Sequence, residues 1–116
     1  MTCSVVLPWP PKELNPNKRL HWSTKRKHVA KYRAMCFALA REAGIAVDWD
    51  GDVHLWVDFY PPDKRRRDDD NVIAAFKAGR DGLADALRID DSRFRLHPYL
   101  QTKTGGFVLV KMTKGV

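Results

Sequence analysis

The chain has 116 residues, of which 44% are hydrophobic and 30% are charged, and its formal net charge is +7. That length favours one domain over residues 1–116 with one modest hydrophobic core, and argues against a multidomain organisation. The positive charge favours a polyanionic partner such as nucleic acid. The alternative is that the charge serves only to keep the protein soluble.

The cysteine content and the N-terminus indicate a cytoplasmic protein. Cys3 and Cys36 are too few for a disulfide framework, which predicts two reduced thiols. The opening MTCSVVLPWPPK has only a short apolar run before a proline, so we expect no signal peptide. No stretch approaches the roughly 18 apolar residues that a membrane-spanning helix needs. We therefore predict no membrane partner. We also predict no organic cofactor.

The first half of the chain predicts a strand, an irregular arm and a helix. Residues 3–7 read as a short strand that ends at Pro8, and the prolines of PWPPKELNPNKRLHW rule out regular pairing in the arm. Ser23 or Thr24 suits a helix N-cap, and Gly44 suits the residue after the helix. The apolar residues at helical spacing between them are Val29, Tyr32, Cys36, Leu39 and Ala43.

The second half predicts a strand, a second helix and two further strands. Residues 52–60 alternate apolar and polar side chains, as in a strand with one buried face. The pattern becomes helical from Asn71 to Leu87. Residues 93–102 and 107–112 follow as strands joined by KTGG, which indicates a hairpin. The order β-α-β-α-β-β predicts an α+β domain with a mixed sheet and two main helices.

The segment RRRDDDN at 65–71 places three aspartates side by side, where each repels the next. If this segment is extended, Asp68 and Asp70 point to one side and Asp69 to the other. Either the loop is simply solvated, or its carboxylates hold a divalent cation. Oxygen ligands without clustered His or Cys suit Mg²⁺ or Mn²⁺ and argue against zinc. A second acidic pair follows at Asp90 and Asp91.

Basic side chains lie next to these acidic side chains in the sequence. Phosphodiester hydrolysis with a metal needs carboxylates for the ion and cations for the phosphate, although a charge-paired surface would look the same in sequence. On the following helix, Lys77, Asp81 and Asp85 recur at steps of four and so share a face. Lys77 could therefore hold a scissile phosphate, or form an ordinary ion pair with Asp81.

Other basic and aromatic residues are candidates for DNA contact. Trp9 and Trp22 could stack on unpaired bases or, as alternatives, pack over an edge of the core. The cations predicted to bind DNA phosphates are Lys18, Arg19, Lys25, Lys27, Lys64, Arg65, Arg66 and Arg67.

Four segments in this order resemble the RusA family of Holliday junction resolvases. They are LPWPP at 7–11, RRRDDDN at 65–71, KAGRD at 77–81 and IDDS at 89–92. The resemblance implies a RusA-like fold and a homodimer that cuts four-way DNA junctions by paired symmetrical nicks with Mg²⁺. The implied metal-binding and catalytic aspartates are Asp68, Asp70 and Asp91, with Asp90 as a further metal ligand and Lys77 as the essential lysine.

The sequence departs from the family pattern in two places, and alternatives stay open. Lys77 lies nearly one helical turn further from Asn71 than in the family, and Asp69 stands where the family has an apolar residue. A straight helix would carry Asp91 away from Asp70, so either residues 88–91 double back or a second subunit supplies Asp91. A flap or other branched-DNA nuclease would use the same residues. A non-catalytic basic DNA-binding protein is the remaining alternative.

Overall fold

The computed structural model describes residues 3–115, which form a four-stranded sheet and three helices. The strands are β1 (Cys3–Pro8), β2 (Val53–Tyr60), β3 (Phe94–Leu100) and β4 (Phe107–Lys114), and the helices are α1 (Trp22–Ala43), α2 (Asp69–Ala75) and α3 (Lys77–Leu87). Short 3-10 turns cover Lys12–Leu14 and Asp91–Arg93. The predicted α+β class and mixed sheet are confirmed, with three helices in place of two. Of the predicted domain 1–116, positions 1, 2 and 116 lie outside the described residues.

The sheet has the strand order β1-β4-β2-β3. β4 is antiparallel to both β1 and β2, whereas β3 is parallel to β2. The predicted hairpin is therefore wrong, because β3 and β4 lie on opposite sides of β2. The glycines of the connecting segment instead bind the end of β2. Gly105 donates its backbone N–H to the Pro61 carbonyl, and Gly106 to the Tyr60 carbonyl, each at 2.8 Å.

One face of the sheet is buried under the helices. Val53, Leu55, Val57 and Phe59 of β2 are at most 1% exposed, so the alternation predicted for this strand is confirmed. β1 shows the same alternation. It continues through Pro8, one residue past its predicted end, because the end of an edge strand tolerates a residue without an N–H group.

Helix α1 begins at Trp22, one residue before the predicted caps. His21 is the N-cap instead, and its Nδ1 accepts the backbone N–H of Ser23 at 3.2 Å. The helix ends as predicted at Gly44, whose φ of 70° is left-handed. Ala43, predicted to be in the apolar stripe, is exposed. The buried residues of α1 are Tyr32, Cys36 and Ala40. Within residues 3–115, no helix has both the length and the apolar character needed to cross a membrane.

The second predicted helix is divided in two at Phe76. The Phe76 backbone has φ −82° and ψ −5°, and its ring meets Phe59 edge-on with 5.4 Å between the ring centroids. Backbone hydrogen bonds continue across the division, from the Phe76 N–H to the Val72 carbonyl and from the Arg80 N–H to the Phe76 carbonyl, each at 3.1 Å. The buried Phe76 ring thus anchors the segment to the sheet, and Lys77 begins α3.

Helix α3 packs closely against α1 because the facing position is a glycine. A Cβ atom on Gly82 would lie 2.5 Å from the backbone oxygen of Arg33 and 3.1 Å from the Cβ of Cys36. No side chain fits there without moving a backbone. Burial at this contact raises the pKa of the Cys36 thiol to about 11. The close approach places the outer side of α3 next to Arg33 on α1.

The other face of the sheet carries stacked rings above β2 and β3. Trp56 and His97 are stacked with 4.0 Å between their centroids. His54 Nδ1 lies 2.7 Å from His97 Nε2, and Trp56 Nε1 donates a hydrogen bond to Thr113 Oγ1 at 2.8 Å. β3, which also contains Pro98, forms one edge of the sheet. The rings on this face are held by one another and by the strands beneath them.

Candidate active site

The residues predicted to form the site are divided between two clefts. We name the first the proline-arm cleft, with a volume of about 440 Å³ between the proline-rich arm and the segment that follows β2. Arg65, Arg66 and Asp68 belong to it. Its lining residues are Trp9, Pro10, Pro11, Lys12, Asn15, Asn17, Pro62, Asp63, Arg65, Arg66, Arg67, Asp68, Asn71, Val72 and Ala75.

Arg67 holds the walls of the proline-arm cleft together. Its guanidinium donates to the backbone oxygens of Asp63 and Arg65 at 3.1 and 2.9 Å, and pairs with the Asp63 carboxylate at 2.9 Å. The same group lies 5.5 Å over the Trp9 ring, which in turn meets Phe59 edge-on. The Arg67 side chain is 17% exposed, whereas that of Arg65 is 80% exposed. Arg67 is therefore structural, whereas the exposed Arg65 has only a long contact of 3.9 Å with the Asp63 carboxylate and can meet a ligand.

The hydrogen bonds to Asp63 also fix the start of the arginine run. The Arg65 backbone N–H and the Arg67 side chain lower the pKa of the Asp63 carboxyl below its usual range. The exposed Arg65 and Arg66 side chains thus extend from a short, hydrogen-bonded turn rather than from a loose loop.

The first aspartate of the DDD run is the N-cap of α2. Asp68 is extended, and one of its carboxylate oxygens accepts the backbone N–H of Asp70 at 2.9 Å. Asp69 and Asp70 lie in the first helical turn, so the extended conformation considered for 67–70 is found at Asp68 and not beyond it. Negative side chains are favourable at a helix N-terminus, where the backbone N–H groups point outward. The crowding of three carboxylates thus has a structural explanation that needs no cation.

The second cleft, which we name the carboxylate cleft, lies where α3, α1 and the second 3-10 turn meet. Its volume is about 330 Å³. Asp91 belongs to this cleft and Asp68 to the other, while Asp70 lines neither. The residues lining the carboxylate cleft are Arg33, Lys77, Asp81, Ala84, Asp85, Ile89, Asp90 and Asp91.

Lys77 joins two of the sequence segments inside the carboxylate cleft. Its Nζ lies 2.6 Å from an oxygen of Asp81, one helical turn along α3, and 3.3 Å from Oδ2 of Asp91. The chain can return to Lys77 because Arg88 adopts a left-handed conformation and ends α3, with φ 56° and ψ 42°. Asp91 and Lys77 of the same chain are therefore in contact.

Arg33 closes the opposite side of the carboxylate cleft. Its guanidinium donates to both oxygens of Asp85, at 2.7 and 2.9 Å. This bidentate pair lowers the pKa of the Asp85 carboxyl and raises the pKa of the Arg33 guanidinium. Sequence spacing grouped Asp85 with Lys77 and Asp81, but it contained no signal for a partner on α1.

Asp90 is also engaged in a local cap. Its Oδ1 accepts the Ser92 backbone N–H at 2.8 Å at the start of the 3-10 turn, and this bond lowers the pKa of the Asp90 carboxyl. Asp90 and Asp68, both predicted metal ligands, thus share the role of capping a helical turn. The next residue, Asp91, faces the cleft and Lys77.

The carboxylates suit a hard divalent cation by type, but a single chain does not gather them. Within residues 3–115, no group of three or more His, Cys, Asp and Glu side chains is arranged to hold a metal ion. Asp68 and Asp91 line separate clefts, and Lys77 already neutralises part of the charge at Asp91. A site with all three aspartates would therefore need a different arrangement of these side chains from the one in this structure.

The cations predicted to bind DNA are spread over the surface. Lys18, Arg19, Lys27 and Lys64 are exposed and line neither cleft. Lys25 belongs to a third surface, which we name the Trp22 patch. The residues lining this patch are Trp22, Lys25, Arg26, Val29, Ala30 and Arg33.

Comparison with known proteins identifies a relative without an assigned activity. No protein-family model matches the chain. A protein of Xylella fastidiosa (strain Temecula1), described only as an uncharacterized protein, is 44% identical over 115 residues, which cover 95% of this chain and 75% of the relative. At that identity and coverage, the chain belongs to the same family as the Xylella protein.

Proposed function

We propose that this chain is a RusA-like, metal-dependent endodeoxyribonuclease that resolves four-way DNA junctions by paired symmetrical nicks. The observation that carries the proposal is the contact of Lys77 with Asp91 at 3.3 Å. Lys77 and Asp91 are fourteen positions apart in the chain, and their contact brings the KAGRD and IDDS segments together in one cleft. A lysine beside a carboxylate in an open cleft is suited to a phosphodiester, whose charge it can neutralise.

The chain's own side chains have distinct parts in this proposal. The Lys77 ammonium has three N–H donors, and Asp81 and Asp91 accept from it, so a donor remains for a phosphate oxygen. Arg65 and Arg66 bind flanking phosphates and make affinity depend on salt. A divalent ion held by Asp68, Asp70 and Asp91, with Asp90 as a further ligand, would supply water activation and charge neutralisation when bound. The products are a 5′-phosphate and a 3′-hydroxyl.

A homodimer completes the proposal. Two copies related by a two-fold axis would match the symmetry of a four-way junction and give the paired nicks. It would also let one copy contribute a carboxylate to the other. Mixing Asp70→Asn protein with Asp91→Asn protein tests this point. Recovery of cleavage in the mixture would mean that sites are shared between copies, and its absence that each copy holds its own site.

The primary test is cleavage of a synthetic four-way junction beside a linear duplex of matched sequence, in Mg²⁺, Mn²⁺ or EDTA. We expect symmetrical nicks in the junction alone, and only with metal. Cleavage of flaps or other branches at a similar rate would point to a broader branched-DNA nuclease. Absence of any metal-dependent cleavage would overturn the proposal.

Substitutions then connect the cleavage to the cleft. Asp91→Asn and Lys77→Ala are expected to abolish cleavage while junction binding in EDTA is retained. Asp50→Asn, an exposed carboxylate outside both clefts, is the matched control and should cleave normally. Asp68→Asn is especially informative, because Asn is as good an N-cap as Asp but lacks the charge. If this variant loses cleavage while its stability is unchanged, the Asp68 charge is needed for cleavage independently of its role as an N-cap.

A non-catalytic DNA-binding protein is the second candidate, and the caps favour it. Asp68 and Asp90 each hold a backbone N–H at the start of a helical turn, which explains two of the four predicted ligands without a metal. This alternative predicts that Asp68→Asn leaves every DNA-related property unchanged. The junction assay with metal therefore distinguishes the two candidates.

A further inference from the structure

The Trp22 patch contains an aromatic ring that the fold does not bury. Trp22 is 64% exposed, more than any other large hydrophobic residue that the structure describes. His21 is the cap and Trp22 is the first residue of α1, so the ring lies at the start of a 22-residue helix. A ligand that covered this ring would remove apolar surface from water, which is favourable.

The surroundings of the ring are cationic. The patch has a volume of about 470 Å³, with Val29 and Ala30 as its apolar wall and with Lys25, Arg26 and Arg33 as its charged residues. None of the described residues that line it is acidic. The Arg26 guanidinium lies 5.5 Å from the centroid of the Trp22 ring. A flat apolar ring among cations is complementary to a flat apolar group that is attached to an anion.

The Trp22 patch and the carboxylate cleft are continuous. Arg33 lines both of them, with its guanidinium bound to Asp85 on the cleft side. A ligand that follows the surface from Lys77 past Arg33 would therefore reach Trp22. Arg33 pairs with Asp85 at the boundary between the two surfaces.

We propose that the Trp22 patch binds an unpaired base of DNA next to the cleft. The base stacks on the Trp22 ring, and Lys25 and Arg26 contact the phosphates on either side of it. This inference rests on the proposed function only for the identity of the nucleic acid, because base stacking needs no metal and no cleavage. Stacking on an aromatic ring discriminates against intact duplex, whose bases are not available to it.

Trp56 provides a matched control on the opposite side of the molecule. It is 44% exposed, but one ring face is against His97 and its Nε1 is bonded to Thr113. Both are surface tryptophans, but Trp22 is the more exposed and has Lys25 and Arg26 beside it, with the Arg26 guanidinium over its ring. A general effect of removing a surface tryptophan would appear in both variants.

The test is equilibrium binding in EDTA, measured by fluorescence anisotropy, with a labelled single strand, a gapped duplex and an intact duplex of the same sequence. Trp22→Ala should weaken binding to the single strand and the gapped duplex by about tenfold, the scale of one base stacked on an aromatic ring. Binding to the intact duplex should change less than twofold by the same reasoning. Trp22→Phe should retain most of the affinity, and Trp56→Ala should bind as the unsubstituted chain does.

Arg26→Ala gives an independent measurement. If Arg26 contacts a phosphate beside the stacked base, the slope of log affinity against log salt should fall by about one. Circular dichroism of each variant verifies that α1 remains folded.

Several outcomes would overturn the proposal. Equal losses on single-stranded and duplex DNA, an unchanged affinity of Trp22→Ala, or an equal loss in Trp56→Ala would each do so. A change in sedimentation of Trp22→Ala without any change in DNA affinity would also overturn it, by showing that a second copy of the chain covers the ring. Because the assay contains no metal, a failure of the proposed nuclease activity would leave its result intact.

Discussion

The proline-arm cleft and the carboxylate cleft are built in different ways. The first is formed by irregular segments that one arginine, Arg67, ties together through Asp63 and Trp9. The second lies on two helices that are in contact at Gly82 and on the 3-10 turn that follows them, and its carboxylates pair with Arg33 and Lys77. Rigid elements position side chains more accurately than loops do, so the residues of the carboxylate cleft on α1 and α3 are the more accurately placed.

The largest expected effect comes from disrupting the helix contact beneath the carboxylate cleft. Gly82→Ala would place a Cβ 2.5 Å from the Arg33 backbone oxygen. We expect the free energy of unfolding to fall by about 1–3 kcal/mol, the usual cost of overpacking. Urea denaturation measures the change. Ala38→Ser, which adds one heavy atom on an exposed position of α1, should change stability little. Equal behaviour of the two variants would mean that the helices are not in close contact.

Removal of Arg67 should have the next largest effect, and it should be confined to the proline-arm cleft. Arg67→Ala loses two hydrogen bonds, an ion pair and a cation–π contact, which predicts a loss of about 1–2 kcal/mol in unfolding free energy. Arg67→Lys should not restore the lost stability, since a lysine ammonium lacks the planar set of N–H donors of a guanidinium. Thermal denaturation measures the loss of stability. Limited proteolysis at residues 9–17 measures whether the effect is at the proline-arm cleft. Arg66→Ala, the exposed neighbour, should be neutral.

The N-cap at Asp68 gives a smaller effect that separates structure from charge. Asp68→Ala should cost about 1 kcal/mol of stability, because the Asp70 N–H loses its acceptor. Asp68→Asn should cost less than half of that, as Asn caps equally well. Denaturation curves of the pair measure the difference. If both variants lost the same stability, the carboxylate charge and not the cap would be its source.

The smallest expected effect is that of the exposed pair of Arg33 and Asp85. A double-mutant cycle should give a coupling of about 0.5–1 kcal/mol that shrinks as salt is added. Arg33 lowers the pKa of Asp85. The pair therefore stabilises the fold above the ordinary carboxyl pKa of about 4, and this stabilisation is lost as pH falls through the lower folded pKa. The unfolding free energies of Arg33→Ala and of the unsubstituted chain should become equal in acid. A constant difference at all pH values would exclude the ion pair as its cause.

Local sequence signals predicted the elements but not how distant ones meet. The two-residue alternation of β2 and the glycine end of α1 depend on neighbouring residues and are present in the structure. The KTGG turn was misread because hairpin pairing depends on which strand is available, and β4 pairs with β1 and β2. The division at Phe76 depends on a ring buried against Phe59, a contact made after the fold forms.

The same limit applies to the candidate site. Periodicity on one helix predicted the pair of Lys77 with Asp81, which the structure contains at 2.6 Å. The pair of Arg33 with Asp85 joins residues 52 positions apart, and nothing in the local pattern of α1 indicates it. The caps at Asp68 and Asp90 could have been predicted, because an aspartate two positions before a helical N–H is a common start of a turn.

Proline lies in both outer strands of the sheet, Pro8 at the end of β1 and Pro98 within β3. A fifth strand added beside either one would find a missing backbone donor at that position. Neighbouring molecules are thus discouraged from extending the ladder and from growing into stacked aggregates. Pairing of copies through side-chain surfaces, such as the open sheet face or the helices, would not meet this obstacle.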